Sequence, residues 1–300
     1  MVNVVITTRN KASYLDIVLY FLTLQTFKDF NVLICNDGSS DHTDEVIRKW
    51  SCHLMITSIK NAATKGASAS RNTCIQRVKT DQEIILFLDD DRILPPDCIE
   101  RHIKVLNETS ADFVCGIRWE LYQGINERQR QNIKDRLERN YSHYNRHMEP
   151  MHTLLLSRYG ADINSANLNW YLFLTGNLSA RKQVFADIGC FDEHLDRLED
   201  LELGYRAKLK GKTVHFCPEI ASYHMLHKRD EYNAVRHFDK LTRKHPVVEM
   251  QLMKRFVEGE LCIHEYERCI AENTNAVTVR CTVCSNQDAV PFFHKGHYSG

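Results

Sequence analysis

The sequence has no apolar run approaching the roughly 20 residues that a bilayer-spanning helix needs, which excludes such a span. It also lacks a basic start leading into a long apolar stretch and a small-residue cleavage site; "MVNVVITTRN" goes straight into a strand pattern. These two absences lead to the expectation of a cytoplasmic protein. Neither charge is in excess. Lys and Arg number 39, Asp and Glu number 39, and the chain as a whole gives no reason to expect a nucleic-acid or other polyanionic partner. No GxxxxGK[ST] and no GxGxxG occurs, so any phosphate must be held without a glycine-rich cradle. That argues against a P-loop ATPase, an ordinary kinase or a dehydrogenase. There is no internal repeat and no low-complexity segment.

What is present is an ordinary globular composition, 43% hydrophobic and 26% charged over 300 residues, enough for one or two domains. The eleven cysteines mostly sit singly in apolar segments (Cys35, Cys74, Cys115, Cys190) and read as small buried thiols. A disulfide framework is not expected in the cytosol.

Strand and helix patterns alternate over the first hundred residues. Strands are expected at 2–7, 30–37, 54–59 and 83–90. Helices are expected after the first three, the second of them capped by Ser40 or Asp41. This order implies βαβ crossovers and a mostly parallel sheet. In such sheets ligands bind beyond the carboxyl ends of the strands. Three strands deliver polar residues there: Thr7-Thr8-Arg9-Asn10, Asn36-Asp37-Gly38-Ser39 and Asp89-Asp90-Asp91. Further on, a strand is expected at 111–122, a long polar helix at 126–147, a helix from about 198 to 209 stopped by Gly211, and a last strand before His227. Residues 231–261 read as helical and the final forty as irregular.

Three adjacent carboxylates repel and raise one another's pKa unless a cation sits among them. Carboxylates suit Mg²⁺ or Mn²⁺, which bind one or two of them and fill the remaining positions with water and substrate phosphate. The bland alternative is an acidic strand-to-loop turn, with Asp97 as a helix cap. Arg71, on a helix whose start "GASAS" allows close approach, can clamp a diphosphate. The basic helix at 126–147 is either a solvated face or a partner surface, with peripheral membrane contact open. The Cys281-x-x-Cys284 pair with His294 and His297 can hold a structural Zn²⁺, comprise incidental thiols, or sit in a tail that closes over a ligand.

In order and spacing, "VVITTRN", "LTLQTF", "VLICNDGSSDHT", "GASASRN", "ILFLDDDRILPP", "LTGNLSARKQVFADIGCFDE" and "LEDLELGYRAKLKG" resemble the family 2 nucleotide-sugar glycosyltransferases of GT-A fold. The likeness covers roughly residues 2–227. It implies an α/β, GT-A type fold: a Rossmann-like mixed sheet flanked by helices, with a helical, Cys/His-bearing C-terminal extension. Residues 1–110 would be the nucleotide-sugar-binding half, 111–230 the acceptor-binding and catalytic half, and 231–300 the extension.

The resemblance places Thr8, Arg9 and Asn10 beside the nucleotide base and makes Asp37 the acid that pairs with uracil. The family usually has two acids before that glycine; here the first is Asn36. Arg71 falls near base and diphosphate. Asp89 and Asp91 are the outer members of the DxD motif, Asp90 its variable middle, and Asp91 the metal ligand. Gly176 and Asn177 form the turn under the donor sugar. Glu199 and Asp200 are the catalytic pair, Asp200 the base and Glu199 orienting a hydroxyl. His224 completes the metal shell, with His227 its competitor.

The implied activity is inverting transfer of a hexosyl or N-acetylhexosaminyl group from a nucleotide sugar, a UDP-sugar for preference, with Mn²⁺ or Mg²⁺. The acceptor is a hydroxyl on a glycan, a lipid-linked intermediate, a peptide or a small molecule. Trp119, Trp170 and Tyr171 are candidates to stack on a sugar or to lie in the core. The alternatives are a Mg²⁺-dependent nucleotidyl- or phosphoryl-transferase and a non-catalytic nucleotide-sugar-binding domain.

Overall fold

The computed structural model describes residues 1–121, 128, 132–133, 146–227 and 234–272. The chain divides into two compact units, Met1–Lys228 and Arg229–Gly300.

The first unit is built on one mixed sheet. Its strands are β1 (Val2–Thr8), β2 (Phe30–Asn36), β3 (Ile56–Lys60), β4 (Ile84–Asp89), β5 (Arg92–Ile93), β6 (Phe113–Leu121), β7 (Arg146–Met148), β8 (Leu178–Arg181) and β9 (Val214–Met225). They lie in the order β3-β2-β1-β4-β8-β6-β9-β5, with β7 paired to β6. The first four strands are mutually parallel, as the alternating pattern predicts; β8 runs antiparallel between β4 and β6. β1, β2 and β4 are almost continuously buried, Asn3 and Asn31 included, as strands of a parallel sheet covered on both faces are. β3, at the edge, is mostly exposed and carries Thr57, Ser58 and Lys60.

Helices α1 (Ala12–Thr23), α2 (Thr43–Trp50), α3 (Ala67–Arg77) and α4 (Cys98–Glu108) follow the first strands. α1 buries Leu15, Val18, Leu19 and Leu22, the apolar positions of its sequence pattern. α2 starts later than either expected cap allows, with its cap one residue past Asp41 and two past Ser40. Its N-cap position is His42, and Asp41 accepts from the Thr43 N–H at 3.1 Å and the Ala12 N–H at 3.0 Å, so that one carboxylate ties two helix starts together. Asp97 does occupy the N-cap position of α4, but its carboxylate accepts from Arg101 at 2.6 Å instead of capping the backbone.

The second half holds α5 (Pro150–Tyr159), short 3₁₀ turns up to Asn177, α6 (Val184–Ile188) and α7 (Glu199–Leu209). Trp170 and Tyr171 are fully buried and Trp119 packs against the core, so the core alternative holds for these aromatics. β9 carries a bulge opposite Gly116/Ile117, beside Pro218. The Asn177 amide fills it, donating to the Ile117 carbonyl at 3.2 Å and the Ile220 carbonyl at 2.9 Å. Gly116 is required there: a Cβ would lie 2.1 Å from Asn177 Nδ2. The Asn177 oxygen accepts from His102 Nε2 at 2.9 Å, which leaves His102 Nδ1 to accept from Ser179 Oγ at 2.8 Å. Burial pushes His102 down to about 4 and keeps the ring neutral.

The expected helix at 126–147 lies almost wholly outside the described residues; Arg128, Asn132 and Ile133 are helical. The second unit contains α8 (Ala234–Lys244), α9 (Val248–Val257) and α10 (Ile263–Ala271). α10 corrects the expectation of an irregular tail. Ile263, Tyr266 and Cys269 recur at helical spacing and are buried. Cys281, Cys284, His294 and His297, the proposed zinc residues, lie outside the described residues. Among the described residues no helix is long and apolar enough to cross a membrane.

Candidate active site

Register brings the three polar strand ends to one level: Thr8 pairs with Asn36, and Thr7 with Asp89. The turns are then stitched side to side. Asn10, with φ +53°, donates its N–H to Ser39 Oγ at 3.0 Å and accepts from the Ser40 N–H at 2.8 Å. Asparagine tolerates this left-handed backbone better than most residues. Thr8 is buried, while Arg9 and Asn10 are exposed. Asn36, the residue that stands in place of an acid, builds the turn. It accepts from the Ser39 N–H at 2.9 Å and donates to Asp44 at 2.6 Å.

Asp37 is buried and ionised. Burial alone would raise its pKa, but the Lys65 N–H, the Asn61 amide and the Gly66 N–H outweigh it. These three donors lie at 2.9, 2.7 and 2.9 Å, so Asp37 also fixes the 61–66 loop that leads into α3. α3 reaches across to the segment that precedes α7. The Asn72 side chain bonds both backbone groups of Phe191 at 2.9 Å, and Ser68 donates to the Leu195 carbonyl at 3.4 Å. The small residues at the start of α3 permit this approach.

The aspartate triplet separates into three environments. Asp89 is partly exposed and faces three guanidinium groups: Arg71 at 3.5 Å, Arg92 at 3.4 Å and Arg118 at 3.9 Å. They hold its pKa below the ordinary value in spite of burial. Asp90 is buried, with Lys11 Nζ at 3.4 Å, and burial lifts it to about 6. Asp91 is also buried. Its Oδ2 has Lys11 Nζ at 2.5 Å, His227 Nε2 at 3.0 Å and His224 Nε2 at 3.5 Å. These partners, His224 foremost, overcome the penalty of burial and hold Asp91 well below the carboxylate range.

Asp91, His224 and His227 each present a ligand atom, all within 4.8 Å of one another. Both competing histidines therefore reach the same carboxylate. One carboxylate and two imidazoles make a donor set suited to a divalent ion such as Mn²⁺; in this structure the Lys11 ammonium stands against two of these ligand atoms, Asp91 Oδ2 at 2.5 Å and His227 Nε2 at 3.1 Å. Asp89 stands outside this cluster, on the arginines.

The Glu199-Asp200 pair opens α7 directly after Leu198, whose φ is +62°. Among the described residues Asn10 and Leu198 are the non-glycine positions with positive φ, and both lie in site turns. Glu199 binds Arg71 at 2.5 Å. Arg71 thus bridges the two acidic groups, Glu199 on one side and Asp89 on the other. Asp200 has no such partner at hydrogen-bond distance; it accepts from the Leu201 N–H at 2.9 Å and the Thr175 N–H at 3.4 Å. Burial and the neighbouring Glu199 charge raise it to about 7. Glu202, also in this acidic run, is a core residue, fully buried on Arg206 at 2.9 Å.

Gly176 lies against the first group. A Cβ there would fall 2.4 Å from Arg92 and 2.6 Å from Asp89 Oδ2. With the Asn177 side chain committed to the sheet, Gly176 is the member of that pair beside Asp89. The sequence reading passed over Lys11, Arg92, Arg118 and Glu120. For the last two a signal existed: charges at i and i+2 in an otherwise apolar strand share one face. Lys11 and Arg92 carried none beyond their place next to named turns.

Residues 3–162 match glycosyl transferase family 2, more than half of the chain, and the chain belongs to that family. Among curated relatives it is 24% identical over 257 residues to an uncharacterized glycosyltransferase, YfnE, of Bacillus subtilis, covering 71% of this chain and 65% of that one. It is 25% identical over 264 residues to validoxylamine A glucosyltransferase of Streptomyces hygroscopicus subsp. jinggangensis, covering 82% and 61%. The chain thus spans somewhat less than two thirds of these relatives' lengths. Among solved structures, S. aureus TarS 1–349 in complex with UDP-GlcNAc superposes with TM-score 0.59 at 17% identity, over 90% of this chain and 70% of TarS. Mannosyltransferase PcManGT from Pyrobaculum calidifontis, in complex with GDP-Man and Mn²⁺, gives TM-score 0.59 at 16% identity, over 91% and 79%. These likenesses establish the GT-A type fold.

Proposed function

We propose that the chain is an inverting glycosyltransferase that moves a sugar from a UDP-sugar to an acceptor hydroxyl, with a divalent ion held by Asp91, His224 and His227. The observation that carries this reading is the contrast within one crevice: a cation-binding carboxylate at the end of β4 and, across Arg71, a carboxylate raised to about 7. The nucleotide-sugar and Mn²⁺ complexes of the two structural neighbours support it.

Bound at Asp91, the ion would supply positive charge to the leaving diphosphate. The chain's own residues do the rest. Asp37, kept ionised by its protein donors, is the carboxylate that accepts from a uracil N–H. Thr8, Arg9 and Asn10 border that base, and Asp89, held by its arginines, accepts from a donor hydroxyl. Gly176 lets Arg92 and Asp89 close against the turn under the sugar. Asp200 takes the acceptor proton as the new bond to the anomeric carbon forms and the bond to the diphosphate breaks. A base with a pKa near 7 is about half ionised at neutral pH and strong enough to accept a proton. Glu199 fixes Arg71, which sets the spacing of the two acidic groups.

Donor hydrolysis is the test. Incubated with a UDP-sugar and Mn²⁺, the protein is expected to release UDP slowly, and Asp91→Ala to release none. An intact donor contradicts transfer. Release that persists in Asp91→Ala contradicts the assigned ion site.

A further inference from the structure

We infer that Glu120 is the positioning residue of the cation site: it fixes the tautomer of His224 so that Nε2 is the nitrogen turned to the ion. The inference rests on the metal site proposed above. Glu120 sits opposite His224 in the β6–β9 ladder, and His224 in turn sits opposite Arg92 in the β9–β5 ladder. The three side chains form a buried relay. Arg92 Nη2 donates to Glu120 Oε1 at 3.0 Å, and Glu120 Oε2 meets His224 Nδ1 at 2.5 Å. The far side of the ring, Nε2, lies 3.5 Å from Asp91 Oδ2. Glu120 is not itself a member of the ligand-capable cluster, which holds Asp91, His224 and His227.

The chemistry follows from the inventory of an imidazole. A neutral ring has one N–H and one lone pair. An ionised carboxylate against Nδ1 accepts the N–H there, so the lone pair must be on Nε2. The other oxygen of Glu120 is paired with the fully buried Arg92 guanidinium at 3.0 Å, the partner of a carboxylate and not of a neutral acid. Arg92 is fully buried and cannot swing away, which keeps the carboxylate in place. A carboxylate behind a ligating histidine both orients the ring and makes it a better donor; losing such a partner typically weakens metal binding by about 10–100-fold.

Two measurements on the full chain test this. In long-range ¹H–¹⁵N spectra of the metal-free protein at alkaline pH, the His224 ring, assigned by its loss in His224→Gln, is expected as the Nδ1–H tautomer. An Nε2–H tautomer overturns the inference, and this readout needs no substitution at Glu120. Next, Mn²⁺ affinity is measured by electron paramagnetic resonance for the unaltered chain, Asp91→Ala and Glu120→Gln. Expected are binding, no binding, and binding weakened about 10–100-fold, with metal-free UDP affinity unchanged in Glu120→Gln. Equal affinity of Glu120→Gln and the unaltered chain, with binding lost in Asp91→Ala, overturns the role of Glu120 alone. No Mn²⁺ binding by the unaltered chain overturns the metal site and the inference with it.

Discussion

Two short acidic runs, Asp89-Asp90-Asp91 at the end of β4 and Glu199-Asp200 at the start of α7, look alike as sequence and behave oppositely in the fold. Asp91 meets Lys11, His224 and His227 and stays ionised at any ordinary pH. Asp200 sits at a helix N-terminus, where the dipole favours negative charge, yet burial and Glu199 push it to about 7. The difference lies in the company each carboxylate keeps. Arg71, a cation shared between the runs, makes its hydrogen bonds to Glu199 and Asp89 and none to Asp200. A carboxylate surrounded by cations is fitted to hold charge, and one deprived of them is fitted to take a proton.

The largest expected effect comes from removing the first role. Asp91→Ala should lower UDP release on the order of 10³-fold or more, the equivalent of several kcal/mol of lost charge stabilisation, measured as UDP formed from a UDP-sugar with Mn²⁺. Asp200→Asn should cost on the order of 10²–10⁴-fold in kcat while leaving donor affinity within a few-fold, which separates base from binder.

The same comparison predicts a pH profile. Activity in the unaltered protein should rise with pH through about 7 as Asp200 loses its proton, a limb that Asp200→Asn should remove. Stability should run the other way. A carboxyl whose folded pKa lies above its unfolded value of 3.8 stabilises the fold while protonated, and that contribution is lost as pH rises from about 4 through about 7. Asp200→Asn should therefore raise Tm at pH 8 relative to the unaltered protein, and much less at pH 4.

Gly176→Ala sharpens the packing side. Its methyl must displace Arg92 or Asp89, a cost of about 1–3 kcal/mol in urea unfolding. Asp97→Ala is the smallest change. That carboxylate bonds Arg101 in open solvent, and its loss should cost at most about 1 kcal/mol.

The parallel half of the sheet was legible because β1, β2 and β4 are predominantly apolar runs alternating with helical patterns, and their polar endings pointed to one crevice. That the triplet needs positive charge beside it was legible, because like charges in sequence demand compensation. The source of that charge was not, since Lys11, Arg118 and His224 come from segments distant in sequence. The role of the Asn177 side chain was not legible either: the β9 bulge that it bonds is invisible in sequence. The helical period of Ile263, Tyr266 and Cys269 was readable and was overlooked among the tail cysteines.

The most direct test of the central claim is calorimetric titration of UDP with and without Mn²⁺, in the unaltered protein and in Asp91→Ala. Tight binding that requires both Mn²⁺ and Asp91 is the predicted result. Equal affinity with Mn²⁺ and with EDTA, or equal affinity in the two proteins, would contradict the assignment of Asp91, His224 and His227 as the ion's holders.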